Sequence, residues 1–309
     1  MVARPRQGRS RRADWVWVLA VSAACAAGAS TVTACSGSGT PAGTAARTHP
    51  RSYYLALGDS LARGVQPNAA GVSVPTRQGY PDQLYAVLHR AAPGLRLVKL
   101  GCPGETTGTM IHGGICSYPA GSQLAAAVSF LRAHRGQVSL ITIDIGANDP
   151  NSCITGIPLG KIASCLGERF TATLANLATI LRQLRAAGGR KVTITGMSYY
   201  VPELSAWLTG KAGEVIAVVI ERVAAAFNQL EARVYQRFQA RVANVFGAFH
   251  SDDFADHVRL AGFGTVPRNV ATICAWTWIC ASAPRGPNQH ANTIGYGVIA
   301  QAFLQADRR

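Results

Sequence analysis

Four clusters hold the side chains of this sequence that are equipped for covalent chemistry. Gly58-Asp59-Ser60-Leu61 offers a hydroxyl, and His290 offers an imidazole. Gly101-Cys102-Pro103-Gly104-Glu105-Thr106-Thr107 and Gly146-Ala147-Asn148-Asp149 offer hydrogen-bond donors. A serine hydroxyl is almost wholly protonated at neutral pH, so it attacks only beside a base. A neutral imidazole can take that proton and later deliver it to a leaving group. Attack on a carbonyl places negative charge on the former carbonyl oxygen, and each donor fixed in advance around it is worth about 3 kcal/mol. Ser60 is thus the candidate nucleophile and His290 its base. The Ser60 amide, the Gly104 amide and the Asn148 side chain are the candidate oxyanion donors. Glycine at 104 leaves no Cβ between the backbone and a substrate.

Residues so far apart need a frame that brings them together. From residue 53 onward, short β-like runs alternate with helical ones. The patterns predict strands over 53–57, 95–100, 138–145, 191–195 and 242–246, and helices over 80–92, 122–134, 168–187, 213–241 and 292–305. Residues 138–145 are nearly all β-branched or Leu, as in a strand covered on both faces. Phe170, Leu174, Leu177, Leu181 and Leu184 recur at three- and four-residue steps, and Gly188-Gly189 ends that helix. In the 213–241 helix, Val219, Val223, Phe227, Leu230 and Val234 fall on one face. Residues 247–289 read as a long irregular segment. Such alternation predicts a parallel sheet with helices on both sides, a three-layer α/β/α sandwich. In such sheets ligands bind beyond the carboxyl ends of the strands. Ser60, Gly104 and Asn148 each follow a predicted strand.

The first 34 residues stand apart. Arg4, Arg6, Arg9, Arg11 and Arg12 precede an apolar run over 15–28 and small residues ending Val32-Thr33-Ala34-Cys35, which is the layout of an export signal. Val-Thr-Ala-Cys also fits a lipobox, with Cys35 lipidated as the first mature residue; the alternative is cleavage near Ala34 and release. Residues 35–50, rich in Ser, Gly, Thr, Pro and Ala, read as a flexible linker. One catalytic domain, 51–309, remains. The formal net charge is +15 for the 309-residue chain, and +11 without residues 1–34, which hold five Arg and one Asp. The excess is spread out, which suits the anionic cell-envelope surface. No recognition motif accompanies it, so nucleic acid is not the expected partner. Cys102, Cys116, Cys153, Cys165, Cys274 and Cys280 allow fifteen pairings. Joining sequence neighbours gives 102–116, 153–165 and 274–280, in keeping with an oxidising compartment. No pair has C-x-x-C spacing, so zinc is not implied.

The order Ser60, Gly104, Asn148, His290 resembles the four blocks of the SGNH/GDSL hydrolases. Gly-Asp-Ser-Leu is similar to their first block, Pro-Gly-Glu-Thr to the second, and Gly-Ala-Asn-Asp to the third. His290-Ala-Asn-Thr-Ile-Gly-Tyr is similar to the block that enters the final helix. The match spans about residues 53–306 and looks most like exported bacterial esterases and lipases with three disulfides. The resemblance implies a flavodoxin-like α/β/α fold, ester hydrolysis through an acyl-enzyme, and neither metal nor cofactor. It also implies an Asp three residues before the histidine. Here that position is Pro287, in Pro287-Asn288-Gln289-His290. Either the Pro287 carbonyl orients the imidazole in a Ser–His dyad, or Asn288 occupies a decayed site. An α/β-hydrolase elbow, Gly-x-Ser-x-Gly, is not matched, because Leu61-Ala62 follows Ser60.

The expected activity is hydrolysis of lipid or short acyl esters by a monomer. Two alternatives stay open: O-deacetylation or acyl transfer on envelope glycans, and a non-catalytic envelope-binding protein that kept the fold. Asp59 and Asp149 read as structural hydrogen-bonding groups, Trp276 and Trp278 as packing residues. The run His250-Ser251-Asp252-Asp253-Phe254-Ala255-Asp256-His257 reads as a solvated loop rather than a metal site.

Overall fold

The structure is a computed structural model that describes residues 52–153 and 158–308. The expected export signal, Cys35 and the linker lie outside the described residues.

The elements run in the following order. After β1 (Tyr53–Gly58) come a small hairpin, β2 (Gln66–Pro67) and β3 (Ser73–Val74), then α1 (Tyr80–Ala91) and β4 (Arg96–Lys99). Next are α2 (Thr107–His112), α3 (Gln123–Ala133), β5 (Val138–Asp144), α4 (Ile162–Gly188) and β6 (Thr193–Met197). A 3-10 stretch, Pro202–Thr209, leads into α5 (Lys211–Arg237), β7 (Arg241–Ala243) and α6 (Val245–Ala248). The chain ends with β8 (His257–Leu260), β9 (Gly264–Pro267), α7 (Arg268–Trp276), β10 (Thr277–Trp278), β11 (Asn288–Ala291) and α8 (Thr293–Arg308).

The five strands β4-β1-β5-β6-β7 form one parallel sheet. In sequence order this is 2-1-3-4-5, the flavodoxin-like arrangement, whose switch point lies between β1 and β5. Alternation along β1 explains the layers. Tyr54 and Ala56 join one core with Tyr80 and Leu84 of α1 and Tyr296 and Phe303 of α8. Leu55 and Leu57 join the other core with Leu124 of α3 and Leu177, Leu181 and Leu184 of α4. The expected three-layer α/β/α fold is present.

One reading of the sequence needs correction and a second needs refinement. Residues 247–289 are not irregular throughout: β8 and β9 pair as a hairpin, and α7 follows. Each of these strands is only four residues long, too short for a period-two pattern to stand out. Second, the apolar face of α5 is divided: Phe227 is buried and Val234 packs against the core, but the rest of the face turns outward. Val219, Val223 and Leu230 are 53%, 42% and 40% exposed, whereas Gly213, Ala217, Glu221, Asn228, Glu231 and Tyr235 are buried.

Candidate active site

Ser60 sits in the turn that ends β1, at the sheet's switch point. Register pairs Gly58 with Asp144 at the end of β5. Gly58 has φ +131°, and a Cβ there would come within 2.0 Å of the Asp144 carbonyl oxygen, so only glycine lets the two strands meet here. The turn is then pinned from three sides. Gln123 uses both ends of its amide on Gly58, accepting from its N–H at 2.7 Å and donating to its C=O at 2.9 Å. Asp144 Oδ2 accepts from the amides of Asp59 and Ala62, both at 3.2 Å. Asp59 Oδ1 accepts from the Leu61 amide at 2.9 Å and lies 3.5 Å from Ser60 Oγ.

His290 is on β11, which pairs antiparallel with β10. Tyr200 donates to the Gln289 carbonyl at 3.0 Å, and Asn292 Nδ2 to the Ala275 carbonyl at 2.8 Å. The Cys274–Cys280 disulfide closes the chain around β10. The imidazole Nε2 lies 2.9 Å from Ser60 Oγ. Its Nδ1 lies 2.8 Å from Asn288 Oδ1, which also accepts from the His290 amide at 3.0 Å. The Asn288 amide is oriented in turn, because its Nδ2 donates to Ser73 Oγ at 2.9 Å. These partners define the tautomer. A carboxamide oxygen only accepts, so Nδ1 carries the proton and the Nε2 lone pair faces the serine hydroxyl. Asn288, rather than the Pro287 carbonyl, is the group that meets Nδ1. Burial pushes the His290 pKa down to about 4, so the ring is neutral at pH 7, as a base must be.

The donor loops converge on the same edge. Asn148 Nδ2 donates to the Glu105 carbonyl at 3.0 Å and lies 3.5 Å from Asp59 Oδ2, tying the third cluster to the second and the first. Asp149 accepts from the Thr107 amide at 2.9 Å and from the Thr107 hydroxyl. The amides of Ser60 and Gly104 have no protein acceptor among the described residues. Gly104 has φ +82°, and no atom lies within 4 Å of where its Cβ would be. Backbone conformation, with open space in front, is what calls for glycine there. Ser60, Gly104, Asn148 and His290 thus share one edge of the sheet. A groove of about 730 Å³ between α1 and α8 holds none of the four.

Several supporting residues escaped the sequence reading. Asp144 is fully buried, accepts the two amides beside Ser60, and takes a hydrogen bond from Tyr80. Burial, and then the charge of Asp59, hold Asp144 well above the carboxylate range, and burial pushes Asp59 up to about 6. The available signal was one acid in an otherwise uncharged strand. Gln123 and Ser73 gave no signal. The other sequence expectations find these places. Trp276 packs edge-on to Phe249, and Trp278 Nε1 donates to Gln66 at 3.2 Å. Arg268 bridges Asp253 at 3.2 Å and Asp256 at 2.7 Å in the acidic run. The three neighbour disulfides are all closed. That suits an oxidising compartment. Among the described residues no helix is long and apolar enough to cross a membrane.

A parallel α/β/α sheet with Gly-Asp-Ser-Leu at its switch point defines a class, the GDSL-type hydrolases. The chain belongs to the GDSL-like lipase/acylhydrolase family, whose model matches residues 56–270. No curated protein matches it in sequence. Solved structures share the fold. A lipase, Lip_vut3, from a goat rumen metagenome is 15% identical, with 82% of this chain and 97% of that one covered and a TM-score of 0.53. Phospholipase A1 from Streptomyces albidoflavus NA297 is 16% identical, covering 83% and 99%, with a TM-score of 0.52. An acetylxylan esterase from Geobacillus stearothermophilus is 16% identical, covering 84% and 95%, with a TM-score of 0.50.

Proposed function

We propose that this chain is a serine carboxylester hydrolase, with Ser60 as nucleophile and His290 as general base and acid. The observation that carries this reading is the chain of contacts Ser60 Oγ–His290 Nε2 at 2.9 Å and His290 Nδ1–Asn288 Oδ1 at 2.8 Å. As Ser60 Oγ bonds to the substrate carbonyl carbon, its proton passes to Nε2. The new oxyanion meets the Ser60 and Gly104 amides and the Asn148 side chain. Collapse breaks the ester C–O bond, and Nε2 returns the proton to the departing alcohol. Water then attacks the acyl-Ser60 ester and gives a proton to Nε2, which passes it to Ser60 Oγ as the acid leaves. Asn288 holds the ring for both halves, but as a neutral acceptor it stabilises the imidazolium less than a carboxylate would. The substrates of this reading are lipid or short acyl esters, which accords with the family. The enzyme works as an exported monomer, and lipidation of Cys35 is tested by mass spectrometry of the mature N-terminus.

The test is labelling by a fluorophosphonate together with turnover of a water-soluble acyl ester. Wild type should do both. Ser60→Ala and His290→Ala should lose turnover, on the order of 10⁴-fold or more, with an unchanged circular dichroism spectrum. Near-normal hydrolysis by folded Ser60→Ala would remove the central claim.

A further inference from the structure

Helix α5 is apolar on its outer side as well as its inner one. Its inner side buries Ala217, Phe227 and Tyr235 together with Glu221, Asn228 and Glu231. Its outer side presents Ala212, Ile216, Val219, Val223, Ala226 and Leu230 at alternating four- and three-residue steps, beside Val215. Val215, Ile216 and Val219 are 65%, 49% and 53% exposed. At about 100° per residue this is one continuous apolar stripe.

Packing fixes where the stripe stands. Tyr235 lies against Gly196 in β6, and Glu231 against Gly146 just past β5. Asn228 clasps Tyr199, two residues past β6, accepting from its N–H at 2.8 Å and donating to its C=O at 3.0 Å. The helix thus runs back along the sheet, and its first turns lie beyond the carboxyl edge. Asn228 lies 17 residue steps after Lys211, or about 25 Å at the helical rise. That projecting half is backed by Pro202–Thr209 and joins the core through Ala217, Ile220 and Ala224. It stands on the edge that carries Ser60. Val72 and Ile115, 57% and 47% exposed, flank Ser73 and Cys116 on loops of that same edge, and Ile294, 64% exposed, lies in the first turn of α8 just past the His290 strand.

We propose that the projecting half of α5 docks the catalytic edge onto an anionic lipid surface. Charge selects the occupant. In the projecting half the exposed cations are Arg222 and Lys211, the latter paired with Glu214 at 3.0 Å, and Arg233 and Arg237 follow further along the helix; Glu221 and Glu231 face inward. Arg222 and Arg233, eleven residues apart, fall on one flank of the stripe, about 20° from each other. An apolar stripe with a basic flank is the pattern of an interfacial helix. Basic side chains near anionic headgroups are each worth about 1 kcal/mol. A second copy fits less well. A stripe about 25 Å long and one helix wide buries some 300 Å² per copy, below the roughly 800 Å² per partner of a stable interface, and like charges would oppose.

The docking does not depend on the hydrolase reading, and the test separates them. Hydrogen exchange is followed at amides 211–227 of the full chain carrying Ser60→Ala, with vesicles of phosphatidylcholine alone or mixed with phosphatidylglycerol. Exchange should slow by about tenfold or more only with the anionic vesicles, and Val219→Glu/Val223→Glu should abolish the effect. In the Ser60 chain, the same double substitution should lower turnover of a vesicle-borne ester by about tenfold while leaving a water-soluble ester unaffected. Unchanged exchange, or equal slowing on both vesicles, overturns the proposal. Slow exchange without vesicles also overturns it, in favour of a second copy if it deepens with protein concentration and of residues 1–51 if it does not. If anionic vesicles slow exchange but the Ser60 chain cleaves neither ester, docking stands and the hydrolase reading falls.

Discussion

Replacing Asn288 by Asp puts a negative charge 2.8 Å from His290 Nδ1, where a neutral oxygen now sits. The shapes are nearly equal, and one contact must adapt: Asn288 Nδ2 donates to Ser73 Oγ, so in the variant the Ser73 hydroxyl must turn and donate instead. Hydrogen bonds to charged groups contribute about 1.5–3 kcal/mol net against about 0.5–1.5 for neutral ones. The imidazolium therefore gains about 1–2 kcal/mol over the neutral ring. Burial alone holds the pKa of His290 at about 4. At about 1.4 kcal/mol per unit, Asn288→Asp should raise it by about one unit. The imidazolium forms in the transition state, so the same energy should raise plateau kcat/KM by roughly 5- to 30-fold. The two effects have opposite signs at low pH: the plateau rises while the acid limb moves to higher pH. The assay is kcat/KM for a water-soluble ester across the acid limb. Asn288→Ala is the companion, expected to lose about tenfold or more as the tautomer is freed. If Asn288→Asp moves neither plateau nor limb, Asn288 does not partner the catalytic imidazole and the orienting role is wrong.

Asn148→Ala should lower kcat by about 10²-fold or more with KM little changed, since its amide is to meet charge that appears only in the transition state; a pure KM effect would make it a substrate-binding residue. Glu231 is buried, and neither carboxyl oxygen has a hydrogen-bond partner among the described residues. Burial raises its pKa well above the usual carboxylate value, so its stabilising contribution is complete below the unfolded pKa and is lost as pH rises toward the folded one. Glu231→Gln should therefore gain Tm over wild type increasingly from mildly acidic to alkaline pH, and a gain that shrinks as pH rises would contradict this. Reductant titration should abolish esterase activity before far-UV circular dichroism changes. Cys102–Cys116 closes the loop of Gly104, Cys153–Cys165 lies just past Asn148, and Cys274–Cys280 braces the His290 strand. Parallel loss of activity and secondary structure would make the disulfides props of the whole fold.

The candidate clusters were legible because each is local: a strand end, a glycine and a polar residue within a few positions. Their supports were not, because they act across the chain. Gln123 reaches Gly58 over 65 residues, and Asp144 reaches the Ser60 turn over more than 80. The orientation of helix α5 was illegible for a different reason. Periodicity detects an apolar stripe but does not say which side faces the sheet. Here the inner side carries Asn228 to satisfy the Tyr199 backbone past the end of β6, and the apolar stripe is left outside.

The missing carboxylate shows how secondary structure decides which residue can act. A search three positions before His290 finds Pro287 and suggests a bare dyad. That spacing assumes an irregular loop. In the structure residues 288–291 are a short strand, paired with β10 at Asn288 and Ala291 across a shift in register. Side chains two apart along a strand point to the same side, and those three apart to opposite sides. A residue at 287 would therefore aim away from the imidazole if the strand continued through it, whatever its chemistry. Asn288 shares the face of His290, and its oxygen reaches Nδ1 at 2.8 Å. The β2–β3 hairpin completes the arrangement, because Ser73 holds the Asn288 amide at 2.9 Å so that the oxygen, not the nitrogen, meets the ring. The orienting group thus moves with the backbone: once the histidine is on a strand, the position that matters is the one before last.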